Sequence, residues 1–139
     1  MKKLFFAAIC LVFTLFACQK SEITTSDSAP IVLAATDTTL FSGSFVNGAH
    51  VVTGEVKVIK GADKKNYLVL TNLKSDAGPD IRIYLSEDKT AKVFTQIAFP
   101  VVNGNSKTEI PATANLTKQK TVLVWCKQYS VLFGSADLK

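Results

Sequence analysis

The sequence is poor in the side chains that hold metals and carry out catalysis. It has one histidine, His50, one methionine, Met1, and three cysteines, Cys10, Cys18 and Cys126. A blue-copper site takes two histidines and a cysteine, usually with an axial methionine. An iron–sulfur cluster generally takes four cysteines, and no C-x-x-C-H occurs for a covalently held heme. Zinc would need carboxylates beside His50 and Cys126 at a spacing that is not found. A single histidine gives no basis for a nucleophile–base pair with Ser130 or Ser135, so hydrolysis is not expected and the sequence points away from an enzyme. Long basic runs are also missing: the largest cluster is Lys64-Lys65, which disfavours nucleic acid as a partner. No twelve-residue window carries a sustained helical stripe, and there are no internal repeats.

What is present begins with an address. Lys2 and Lys3 precede L4-F-F-A-A-I-C-L-V-F-T-L-F-A17, an uncharged stretch of secretory length and too short to span a bilayer as a helix, which takes about 20 residues. L15-F-A-C18 resembles a bacterial lipobox, with an aliphatic residue three before the cysteine and a small one just before it; Phe16 is bulkier than usual there. The resemblance implies that residues 1–17, with Cys10, are a removable signal. It also implies that Cys18 becomes a lipidated N-terminus, a partner of the membrane. Gln19 after the cysteine gives no retention signal, and Q19-K-S-E22 loosely resembles tags that send lipoproteins outward, so the expected location is the cell envelope, at the outer membrane. Losing residues 1–17 removes Lys2 and Lys3 and no acid, which lowers the net charge from +5 to +3. That surplus, spread over scattered lysines, serves solubility before it serves binding.

Residues 18–36 are rich in Ser, Thr and Ala and read as a flexible tether reaching roughly 20–25 Å, with I31-V-L-A-A35 as one short candidate strand. Residues 37–139 form one domain. Its punctuation is close and regular. Asn47-Gly48, a strong hairpin signal, separates L40–V46 from H50–I59. The polar G61–N66 precedes Y67–L73, D76-A-G-P-D80 leads into I81–S86, Pro100 ends V93–F99, and N103-G-N105 is another turn. Pro111 confines the strand beside it to a sheet edge. T121–K127 and Y129–F133 close the series. β-Branched and aromatic residues dominate the ordered stretches. The expected class is all-β: a single sandwich or barrel of seven to nine short, mostly antiparallel strands.

Four pieces line up in order: F41-S-G-S-F45, A49-H-V-V-T-G54, G78-P-D80 and W125-C-K-Q-Y-S-V-L-F-G134. Together they resemble the DM-thirteen domain, the module of Skeletor-type extracellular proteins associated with electron transfer. The resemblance covers most of residues 38–138 and implies an all-β, extracytoplasmic domain. It makes Cys126 the suspected redox residue, with His50 and Asp80 at the other motif positions and Gly54, Gly78, Pro79, Trp125, Phe133 and Gly134 as structural ones. The extra domains of larger relatives are not in this sequence. Electron transfer would therefore rest on a partner, an envelope redox protein, and heme or copper would enter only if shared with it.

The residues themselves leave three roles open for Cys126: a core filler on a face shared with Val122 and Val124, a redox or ligating sulfur tuned by His50, or an intermolecular disulfide. A reactive thiol needs a nearby cation or base, and Lys127 points to the opposite face of a strand. That leaves His50. The competing reading is a non-catalytic binding or scaffold module at the membrane surface with Cys126 buried. For the rest, Asp80 is expected to cap its turn through backbone N–H groups, Gly54 to mark a bulge, and Trp125 and Phe133 to be core aromatics.

Overall fold

The computed structural model describes residues 29–139; the expected signal (1–17), Cys18 and the first residues of the expected tether lie outside the described residues. Nine strands follow in order: β1 (Thr38–Ser44), β2 (Val46–Asn47), β3 (Val52–Lys60), β4 (Asn66–Ser75), β5 (Ile81–Ser86), β6 (Phe94–Ala98), β7 (Gly104–Glu109), β8 (Thr121–Cys126) and β9 (Val131–Asp137). They form two antiparallel sheets, β1-β3-β4-β7 and β2-β9-β8-β5-β6. The core between them is mostly aliphatic: Val52, Val56, Val58, Leu68, Leu70 and Leu73 from one sheet meet Ile83, Leu85, Val122, Val124 and the aromatic Phe133 from the other. Alternation along each strand puts these residues on the inner face and turns Lys57 and Lys107 outward.

The sandwich is closed like a barrel along one side. Ser42 exchanges both backbone hydrogen bonds with Lys139, and the same antiparallel register continues through Val46↔Ser135 and Asn47↔Gly134. One continuous stretch of chain thus pairs with β3 and then crosses to β9. This crossing explains why Asn47-Gly48 is not the two-residue hairpin expected from the sequence. Pairing with β3 resumes only at Ser44↔Glu55, and the intervening loop leans on β9, where the Gly48 N–H donates to the Phe133 carbonyl. A Cβ on Gly48 would lie 2.5 Å from the Leu132 carbonyl oxygen, so the glycine allows two backbones to approach. Asn47 braces the loop instead, its Oδ1 accepting the Val52 N–H at 2.9 Å.

On the open side, β7 is an edge strand and ends before Pro111, in keeping with the missing proline N–H. Gly54, at φ +121°, sits in the β3 register shift between Thr53 and Glu55, the bulge that its place in the strand predicts. Ile31–Ala35 is not a strand. It belongs to a strap over the outer face of the four-stranded sheet: the Ala29 carbonyl accepts a hydrogen bond from Asn105 Nδ2 at 3.3 Å, and the Asp37 carboxylate pairs with Lys107 at 3.4 Å.

Candidate functional site

All the motif-bearing loops converge on one end of the sandwich, where β3, β5, β7 and β9 begin and β4, β6 and β8 end. Cys126 is the last residue of β8, a free thiol paired with Ile81 of β5 and Val131 of β9. It shares the inward face of Val122 and Val124, as its spacing predicts, and it is 0% exposed. Leu123, on the other face, is equally buried and Trp125 partly so. The next residue, Lys127, starts the β8–β9 turn and donates its N–H to the Asp80 carbonyl at 2.9 Å, which ties the end of β8 to the start of β5.

His50 stands in the loop before β3. Its ring stacks on Phe133, with centroids 3.8 Å apart and planes at 26°, and its Nδ1 lies 3.2 Å from Asp76 Oδ2. Both members of this pair are well exposed, at 39% and 52%. A bond donated from Nδ1 leaves Nε2 as the acceptor nitrogen. The imidazole is therefore engaged by a carboxylate and an aromatic face, and neither group belongs to Cys126. Asp76, a residue the sequence marks only as belonging to a turn, also accepts the Val51 N–H at 3.4 Å. The only sequence-level pointer to it was its place opening the stretch that ends at Gly78-Pro79-Asp80, because the pairing spans 26 residues.

Gly78 closes the cluster. A Cβ there would meet Ile81 Cδ1 at 2.5 Å and Phe133 Cζ at 3.0 Å, so the loop packs onto the His50–Phe133 stack only because position 78 has no side chain. Gly134 does likewise on β9, where a Cβ would press on Val52 Cβ at 2.6 Å. Asp80 departs from the expected backbone cap. Its carboxylate grips Arg82 in a two-point pair, Nε–Oδ1 at 2.7 Å and Nη2–Oδ2 at 3.1 Å, and that guanidinium holds the carboxyl below the usual carboxylate range. Arg82 is already committed to sheet packing: its Nη1 reaches Gln96 and its carbon lies 4.4 Å over the Phe99 ring. The nearer cation captures the side chain, and the backbone carbonyl of Asp80 serves the turn instead.

Beside Gly78 lies a hollow of about 330 Å³ bounded by Ser75–Pro79, Ile81, Phe99–Val101 and Asn103. Ile81 borders the hollow on one side and pairs with Cys126 in the sheet. A wider polar depression, about 850 Å³, runs along the bulges of β3 and β4, where Asn72, Asn103 and Asn105 gather. Among the described residues no three of His, Cys, Asp and Glu cluster closely enough to hold an ion. With the Cys126 sulfur sealed and His50 Nδ1 facing Asp76, these residues do not fit a heme or a copper ion in this conformation.

A family model described as "Electron transfer DM13" matches residues 44–138. No curated protein and no solved structure gives a significant match.

Proposed function

Because the chain belongs to the electron-transfer DM13 family, we propose that it is a lipid-anchored module of the cell envelope that handles electrons only jointly with a partner. Cys18 holds it to the membrane, at the outer membrane on the strength of Gln19 and the residues that follow. The redox group is the Cys126 thiol, kept shielded in the closed domain. The observation that carries this reading is the placing of a fully buried sulfur at the very end of its strand, paired in the sheet with Ile81, a residue that lines a surface hollow. The segment Asp76–Pro79 that walls the hollow is itself exposed and is joined to the loop before β3 by long bonds such as Asp76 N–H to the Val51 carbonyl at 3.4 Å. Such segments open at lower cost than the core.

On opening, the Cys126 thiolate attacks a disulfide of the partner. One sulfur–sulfur bond forms between Cys126 and the nearer partner sulfur, the partner's own disulfide breaks, and its other sulfur leaves as a thiolate. A second, reduced dithiol protein then attacks the Cys126 sulfur and expels the partner's remaining thiolate. Its other thiol closes a disulfide of its own and frees Cys126, so that two electrons pass from dithiol to partner disulfide through Cys126. One cysteine cannot store two electrons as an internal disulfide, which is why the chemistry needs a second protein. Any heme or copper ion in this scheme belongs to that partner.

A second reading is favoured by the 0% exposure of Cys126: a binding or scaffold module whose thiol is core filler. Trapping separates the two. Cells carrying the unaltered protein, quenched with acid and run without reductant, should show a mixed disulfide that is lost in the Cys126→Ser variant. If no such adduct forms, and the native thiol reacts no faster than the domain unfolds globally, the scaffold reading stands.

A further inference from the structure

The strap bears on which way the domain faces. By register, Ile59 and Val69 lie on the outer face of the four-stranded sheet, since their neighbours Val56, Val58, Leu68 and Leu70 point inward. Yet they are 0% and 3% exposed. Residues 29–37 cross that face, with Ile31 and Leu33 half-buried and Val32 turned out at 87%. The strap is fastened at both ends. Asp37, whose side chain is only 4% exposed, holds Lys107, and Ala29 is held by Asn105, whose Oδ1 also accepts the Asn72 N–H at 2.7 Å. Asn72 and Asn105 are at the Cys126 end of the sandwich. The chain therefore enters the four-stranded sheet's outer face toward the Cys126 end of the sandwich.

We propose that this strap orients the domain so that the Cys126 end faces the membrane, and that its loop tips touch the lipid surface. The inference rests on the lipid anchor at Cys18 proposed above. Only residues 18–28 then separate the lipid from Ala29, an average span of roughly 15–20 Å for a chain of that length. The ten residues of β4 make the domain about 30 Å long, so the far end stands beyond that average span and the near end is the one held close to the lipid. The tips at the near end suit an interface: Val51, Phe99, Val102 and Tyr129 are each more than half exposed, and exposed Lys74 and Lys127 lie beside them. Apolar and aromatic tips with lysines nearby are what a headgroup layer accepts. The opposite end carries Lys60, Lys64, Lys65, Lys89, Lys92 and Lys118, but interspersed with Asp63, Glu87, Asp88, Glu109 and Asp137, with Lys65 paired to Glu109 and Lys89 to Asp137, so its charges largely cancel. Facing the Cys126 end inward places the thiol where a membrane-embedded redox partner would meet it.

The test uses full-length lipidated protein in vesicles, neutral or anionic, that contain a headgroup quencher. A fluorophore is attached by brief labelling of Tyr129→Cys in the β8–β9 turn, or of Lys64→Cys in the β3–β4 turn. Quenching should be at least threefold stronger at position 129 than at 64 in both lipids. The Asp37→Ala variant, with its strap loosened, should narrow that ratio. Equal quenching in the unaltered strap, or stronger quenching at 64, overturns the orientation. Mass spectrometry of the peptide containing Cys18 from the same vesicles separates the two failures: an unacylated Cys18 removes the anchor and the orientation with it, whereas an acylated Cys18 with equal quenching removes the orientation alone.

Discussion

Replacing the Cys126 sulfur with oxygen isolates what sealing that atom does. In Cys126→Ser the side chain keeps nearly its size, but the inner face at that position offers Ile81, Val124 and Val131 as neighbours. A buried hydroxyl left without a partner costs about 1–3 kcal/mol, whereas Cys126→Val, which keeps the site apolar, should cost less than about 1.5 kcal/mol. A domain of this size has a total stability of about 5–15 kcal/mol, and each kcal/mol moves Tm by about 4–8 °C. Chemical denaturation should therefore show a clear drop in midpoint for the serine variant with an unchanged slope, and a small one for valine. The unaltered thiol adds a kinetic readout. If only global unfolding frees the sulfur, a thiol reagent should react about 10⁴-fold or more slowly than with a free cysteine, at a rate that rises steeply with denaturant. If the Asp76–Ile81 segment opens by itself, protection should be only about 10²–10³-fold and nearly flat in low denaturant. A serine variant as stable as the unaltered protein, together with labelling at the rate of a free cysteine, would refute the burial argument altogether.

Gly54→Ala forces a side chain onto φ +121° with its Cβ 2.9 Å from the Asn72 and Thr71 carbonyl oxygens; a loss of about 1–3 kcal/mol should be measurable by urea melts, and a neutral result would mean that the bulge relaxes freely. The Asp80 carboxyl is depressed by Arg82, so its contribution is fully present above the unfolded value near 4 and is lost as pH falls through the lower folded value. Thermal melts from pH 7 to pH 2 should show a shallower acid-side decline in Asp80→Asn, not an absent one, because hydrogen bonds also lower Asp63 and Asp88. His50→Ala removes a stacked ring from Phe133 and should cost about 0.5–1.5 kcal/mol in the same urea assay; no loss would mean that the stack adds nothing to stability.

The strands were legible because their alternation and turn residues are local signals. β5 and β8 follow directly from Ile81, Ile83 and Leu85 and from Val122, Val124 and Cys126, each set on one face. What escaped depends on partners far along the chain. Asn47-Gly48 carries a hairpin signal, but the backbone it approaches is Leu132–Phe133, and nothing near residue 47 announces that. His50 was visible as a candidate while Asp76, its companion, was not. Asp80 was visible in its motif, yet the charge that takes its carboxylate is Arg82, two residues on and on the same strand, where a turn-capping rule does not look. The Ser, Thr and Ala of residues 29–36 suggest slack chain; the apolar outer positions Ile59 and Val69, read as ordinary strand residues, were the clue that something must lie over them.

The sheet-switching stretch has a consequence for assembly. β2 finds its mate in β9, roughly ninety residues later in synthesis, so the first strands emerge with one flank unzipped and stay so until the last strand arrives. A chain whose seam is sewn by its final stitch gains little from folding early, and any delay before that stitch leaves a raw β-edge available to strangers.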